Sequence, residues 1–205
     1  MPRKRDDAGK CLDAALTLAA NAGWNNVSLY DIAEESGLAV ADVRKAVGGR
    51  RGLLAEIARR ADEAMLAAVD EDWREESIRD RLFTLVMARL DFLRDRREGL
   101  RAILAGLPGD PVTALIAAAG PGMSSMRLTL EAAGVPTGGI RGNMRARALG
   151  LAYAAVLRVF LDDETEDLSK TMAALDRRLG SLERLAERVR GGFRTRRTET
   201  VEEAE

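Results

Sequence analysis

The stretch "SGLAVADVRKAVGGRRGLL", Ser36 to Leu54, decides how this chain is read. Gly37 ends one short helical run. A second, about Ala39 to Val47, sets Val43 and Val47 four residues apart on one face. The glycine pair 48–49 breaks that helix, and Leu53 and Leu54 resume an apolar face at once. As structure this has the rhythm of a helix-turn-helix followed by a supporting helix. Its chemistry is unusual for such an element: Ala39, Val40 and Ala41 open the second helix and Asp42 lies in its first turn. The cations Arg44, Lys45, Arg50 and Arg51 gather only at the far end.

Working upstream, residues 8–22 place Cys11, Leu12, Ala15, Leu16 and Ala19 along one helical face, closed by Gly23. "NNVSLYDIAEESG" then supplies Ser28 as an N-cap, Asp31 in the first turn, and Leu29, Ile32 and Ala33 as a short apolar face. Downstream, "RRGLLAEIARRADEAMLAAVDEDW" predicts one long amphipathic helix through Leu53, Leu54, Ile57, Ala61 and Met65. Residues 77–97 predict another. "GLPGDP" and "AAGPGM" read as turns, 123–133 as a short helix, 140–161 as a long one, and the acidic "DDETED" as a joint before a last helix ending near Arg190. No segment alternates as a strand does. The fold class is all-α.

Composition narrows the function. Of 205 residues, 46% are apolar but only 4% aromatic, so the core must be built from Leu, Ala, Val and Met. The charges nearly cancel, 32 basic against 33 acidic, and residues 1–52 hold eight basic and seven acidic side chains. A nucleic-acid contact would therefore need a local basic patch. Such a patch is available in Arg44 to Arg51 and in an N-terminal arm of Arg3, Lys4 and Arg5. There is no histidine, which removes the commonest general base and metal ligand, and the single cysteine excludes an internal disulfide. The expectation is a non-enzyme without cofactor or metal. No run approaches the roughly 18 apolar residues of a membrane span, and the N-terminus has no signal-peptide pattern, so a cytoplasmic location is expected.

In the last two helices, Leu168, Met172, Leu175, Leu179, Leu182, Ala186 and Val189 recur by four and three, a seam of a/d type. This seam fits either packing inside the monomer or half of an intersubunit four-helix bundle. Residues 191–205, "GGFRTRRTETVEEAE", carry almost no apolar content and are expected to be a disordered charged tail.

The segment "CLDAALTLAANAGWNNVSLYDIAEESGLAVADVRKAVGGRRGLLAEI" resembles the N-terminal DNA-binding domain of the TetR family of bacterial transcriptional regulators. The resemblance implies a three-helix helix-turn-helix head over residues 1–52, and a larger helical ligand-binding and dimerisation domain over 53–190. It implies a homodimer on a double-stranded DNA operator and a hydrophobic small-molecule effector controlling DNA affinity, most commonly by repression. Carried onto this sequence, the DNA-binding positions are Ser28, Tyr30, Val40, Ala41, Arg44, Lys45, Arg50 and Arg51. The implied pocket draws on Phe83, Met87, Phe92, Met123, Met126, Met144 and Tyr153. The implied dimer interface draws on Leu149, Tyr153, Leu168, Met172, Leu175, Leu179 and Leu182. The chain departs from the family where DNA would be read. Ala39 stands for a capping Ser or Thr, Val40 for a cation, and Arg44 and Ala46 for an aromatic pair.

The departures are also similar to those of a second TetR-like group, lipid-binding accessory proteins of ubiquinone biosynthesis that no longer bind DNA. The segment "VFLDDETEDLSKTMAALDRRLG" resembles their closing region. Here, however, the residues beyond Val189 offer only Phe193 and Val201 as sizeable apolar groups for a membrane-touching helix.

Overall fold

The structure, a computed structural model, describes residues 6–109, 113–114 and 117–202, with side chains excepted at residue 71 and from 189 onward. Among the described residues there are nine α-helices and no strand. They are α1 (Asp7–Ala22), α2 (Leu29–Ser36), α3 (Val40–Val47), α4 (Arg50–Leu66), α5 (Ile78–Phe92), α6 (Arg97–Gly106), α7 (Met123–Ala132), α8 (Gly139–Leu161) and α9 (Ser169–Glu202). None is long and apolar enough to cross a membrane. The arm Arg3, Lys4 and Arg5 lies outside the described residues, as do residues 203–205.

Local chemistry explains the first four helices. Asp6 caps α1 by accepting the Gly9 N–H at 2.9 Å, and Ser28 and Asp31 form a reciprocal capping box at the start of α2. Gly37 (φ 67°) and Gly48 (φ 67°) end α2 and α3 in the left-handed region that side chains avoid. Gly52 is required for a different reason. A β-carbon there would stand 1.6 Å from the Val47 carbonyl oxygen, so only glycine lets α4 start against the end of α3.

Two expected helices are interrupted. The helix from Arg50 stops at Leu66, followed by a 3-10 turn at Glu71–Arg74. That turn buries Trp73, whose indole N–H donates to the Ala132 carbonyl at 2.9 Å. The run expected over 77–97 breaks after Phe92 into a 3-10 turn at Arg94–Arg96 before α6 begins. Burying the Leu93 and Leu100 side chains in one core requires this change of direction. By contrast, the last helix does not stop near Arg190. Its backbone is helical through Glu202, and 191–202 contains no proline to break it.

The helices enclose one core in the head, a second in the larger body, and a smaller cluster of Met65, Trp73, Leu85 and Ala133 beside it. The head core joins Cys11, Leu12, Leu16, Trp24, Ile32, Val43, Val47 and Leu53. It also takes in Ile103 from α6. The larger body is centred on Val86, Leu90, Met126, Leu149, Phe160, Leu168, Leu175 and Leu179. Cys11 is wholly buried, which pushes its thiol up from the ordinary range and suits a packing role.

The corner between α8 and α9 is tightly specified. Asp163 is fully buried and accepts from the Thr165 N–H (3.1 Å) and hydroxyl (2.5 Å) and from the Thr171 N–H (2.8 Å) and hydroxyl (2.6 Å). Burial alone would raise this carboxyl. The Thr165 and Thr171 bonds outweigh it and hold Asp163 far below the ordinary carboxylate range. Arg97 closes the corner from α6, donating to the Asp163 carbonyl and lying 4.7 Å over the Phe160 ring.

Candidate nucleic-acid interface

α3 turns Val43 and Val47 inward and leaves Val40, Ala41, Arg44 and Lys45 on one outward stripe. This is the geometry of a helix held from behind and presented from the front. At its start Ala39 offers no side-chain cap, and the backbone bonds first at Asp42 N–H to Ala39 O, 2.9 Å. Ser28 and Tyr30 lie at the start of α2, with Tyr30 68% exposed.

The four cations are not equivalent. Arg44 donates through Nη1 to the Gly48 carbonyl at 2.7 Å, closing the end of its own helix. Arg50 reaches back across the head. Its Nη2 donates to the carbonyls of Asn25 (2.7 Å) and Val27 (3.0 Å), and its guanidinium lies 5.4 Å over Trp24. Arg50 therefore fastens the turn that delivers α2. Lys45 and Arg51 are exposed and, among the described residues, make no ion pair, so they are the cations left to face a phosphate.

The head is fastened to the body through α1. Asp6 pairs with Arg60, which also pairs with Glu56 at 2.7 Å, and Asp13 pairs with Arg96 at 3.1 Å. α6 lies against α1 so closely that a β-carbon on Gly99 would stand 2.5 Å from Leu16 O. At its other end, a β-carbon on Gly106 would stand 2.9 Å from Trp24 Cβ. α6 thus touches the head both at α1 and at the turn Arg50 grips.

An all-helical chain that presents a short outward helix on a three-helix head has close counterparts among solved structures. A TetR transcriptional regulator from Nitrosomonas europaea matches with 26% identity and a TM-score of 0.67, over 85% of this chain and 96% of that one. The chain has the TetR fold. A TetR transcriptional regulator from a Rhodococcus species matches with 18% identity and a TM-score of 0.63, over 87% of this chain and 96% of that one. No family model matches the sequence, and no curated protein matches it significantly.

Two sets of expected residues need correction. Met144 is 65% exposed on the outside of α8 and lines no interior, whereas Phe83, Met87, Phe92, Met123 and Tyr153 are partly buried against the body core and Met126 is buried within it. Leu149, Leu168, Leu175 and Leu179 are buried inside the chain's own core, so they are not available to a partner surface. Of the described a/d seam, Met172 and Leu182 stay partly accessible and Ala186 is exposed, and Tyr153 turns its hydroxyl inward. The apolar groups left outside are Ile140 (81% exposed), Met144 and Leu151 (76%) on one stripe of α8, with Leu185 on α9. These were missed because α8 is apolar on nearly every side, and periodicity alone does not say which side its neighbours cover.

Also missed was a buried polar cluster in the body. Arg89 on α5 is only 5% exposed and pairs with Asp62 on α4. The second Asp62 oxygen accepts from Ser125 Oγ on α7 at 2.6 Å, and Arg89 Nε donates to Tyr153 Oη on α8 at 3.3 Å. A signal was present in the sequence: Arg89 follows Leu85 by four and Val86 by three, in the middle of the buried face of α5.

Proposed function

We propose that this chain is a DNA-binding transcriptional regulator of TetR type, acting as a homodimer whose DNA affinity is set by a small molecule in the larger body. The carrying observation is the head itself: α3 is anchored inward by Val43 and Val47, and its outward stripe ends in an unpaired Lys45 with Arg51 beside it. Val40 and Ala41 offer apolar contact to a thymine methyl and no hydrogen bond to a base. Phosphate contacts from Lys45 and Arg51 then dominate, with Ser28 and Tyr30 at the α2 end and Arg44 at the margin. The second copy covers the stripe Ile140, Met144 and Leu151, and two-fold symmetry pairs two heads with a near-palindromic site. Repression is the mode proposed, and Phe83, Met87, Phe92, Met123, Met126 and Tyr153 are the proposed pocket walls.

The test is binding of the purified protein to DNA from upstream of its own gene, measured by fluorescence anisotropy across salt. Specific binding should appear, with a linear fall of log affinity against log salt. Lys45→Ala and Arg51→Ala should each reduce that slope by about 1 per protomer. Affinity no higher than for random DNA overturns the reading. A second reading has its own support. The opening of α3, which carries Asp42 and no cation, and the internal engagement of Arg44 and Arg50 favour a TetR-fold lipid-binding accessory protein that leaves DNA alone. Native mass spectrometry showing co-purified lipid, together with absent DNA binding, would select it.

A further inference from the structure

The outer groove between α8 and α9 collects cations that its own walls do not neutralise. It holds about 290 Å³. Its apolar lining comes from Ala155 and Val159 on α8 and Ala174 on α9, and its polar lining from Arg177, Arg178 and Ser181. Among the described residues neither arginine side chain has a hydrogen-bond or ion-pair partner. Ser181 Oγ accepts from Arg184 Nη2 at 3.1 Å, which brings a third guanidinium to the edge. Two carboxylates of α9 are turned away instead, Asp176 and Glu183 pairing with Arg79 on α5 at 2.7 and 3.6 Å. α8 supplies none, for Gly139 to Leu161 contains no acidic residue. The chain as a whole carries a net charge of −1, so this positive excess is local.

We propose that this groove binds a small carboxylate with a compact apolar body. A guanidinium meets a carboxylate with parallel N–H···O bonds, and Arg177 and Arg178 are free to make them. The apolar body covers Ala155, Val159 and Ala174, removing their surface from water. A neutral ligand would leave the positive charge unmet, and a bare inorganic anion would leave the apolar lining wet. The volume is at the small end for a ligand site, which limits the body to one or two rings or a short chain. A second copy of this chain is the poorer occupant. Its α8 would bring the exposed Arg147 and Arg158 and no carboxylate, setting like charges against each other. The stripe proposed for the second copy lies nearer the start of α8, at Ile140, Met144 and Leu151. None of the proposed pocket walls in the body lines this groove, so it is a second site, independent of the DNA-binding reading.

NMR titration of the full chain, read at the arginine Nε–Hε signals, tests this with naphthoate, its uncharged isostere naphthamide, and acetate. Naphthoate should shift the Arg177 and Arg178 signals and bind at least about fivefold more tightly than naphthamide, which lacks the charge. It should bind at least about tenfold more tightly than acetate, which lacks the apolar body. Arg177→Gln combined with Arg178→Gln should weaken naphthoate at least about fivefold. Both side chains are exposed, so that variant should melt as the unaltered protein does. Lys10→Gln removes an exposed cation from α1 and should leave naphthoate affinity unchanged. The proposal is overturned if naphthoate does not bind, or binds no more tightly than naphthamide or acetate. It is equally overturned if the double variant keeps full affinity, which would put the ligand in the interior of the body. A loss in Lys10→Gln as large as in the double variant also overturns it, since the attraction would then be one of net charge alone.

Discussion

Replacing Gly99 by alanine tests how the head is seated on the body. The new methyl carbon would lie 2.5 Å from Leu16 O and 2.8 Å from Leu16 Cβ, neither of which can rotate away. An unstrained carbon–oxygen contact needs about 3.3–3.6 Å, so α1 and α6 must part by about 1 Å. Alanine in a helix gains about 0.5–1 kcal/mol over glycine, while overpacking costs about 1–3 kcal/mol. The net expectation is a loss of about 1–2 kcal/mol, or a fall in Tm of about 2–8 °C for a chain of this size. Gly180→Ala in α9 is the control. The nearest atoms to a β-carbon there are the guanidinium groups of Arg79 and Arg184 at 3.4 and 3.5 Å, which can swing aside. It should gain about 0.5–1 kcal/mol and raise Tm. Thermal melts followed by circular dichroism decide the matter. If Gly99→Ala melts at or above the unaltered protein while Gly180→Ala behaves as expected, the close seating of α6 on α1 is wrong.

Other variants probe separate parts of the reasoning. Leu151→Glu puts a charge on the 76% exposed stripe of α8 and should convert a dimer to a monomer in analytical ultracentrifugation without changing the helical spectrum; an unchanged sedimentation coefficient counts against that surface. Arg50→Met removes two bonds to the Asn25–Val27 turn and the cation over Trp24, costing about 1–3 kcal/mol and shifting the Trp24 fluorescence; no change in stability would return Arg50 to the DNA surface. Asp163 titrates in the folded state below its ordinary value of 3.8, so its stabilisation is complete above that pH and is lost as pH falls below it. Asp163→Asn should therefore destabilise the protein at neutral pH and flatten the acid limb of a stability–pH curve. Equal acid limbs for the two proteins would show that the Thr165 and Thr171 bonds are not what stabilises the charge.

Local chemistry was legible where it is local. The Ser28–Asp31 box, the inward pair Val43 and Val47, and the stops at Gly23, Gly37 and Gly48 each involve residues within one turn of one another. The head could thus be drawn from spacing and capping alone. The breaks at Leu66 and Phe92 were not legible, because the apolar rhythm continues through them and only the burial of Trp73, Leu93 and Leu100 makes the chain change direction.

The candidate site divides along the same line. That a basic cluster follows α3 is a matter of sequence; that Arg50 is spent on carbonyls 25 and 23 residues away, leaving Lys45 and Arg51 outward, is a matter of assembly. Likewise the sequence determined that α8 and α9 are apolar helices able to pack. Only the tertiary structure decided that Leu149, Leu168, Leu175 and Leu179 face inward and Ile140, Met144 and Leu151 outward. It also decided that Arg89 meets Asp62 and Tyr153, and that Ser125 meets Asp62. The physical reason is range. Helix formation and capping depend on neighbours within about four residues. The partner of a long side chain, and the side of a helix that water still reaches, depend on which distant helices arrive.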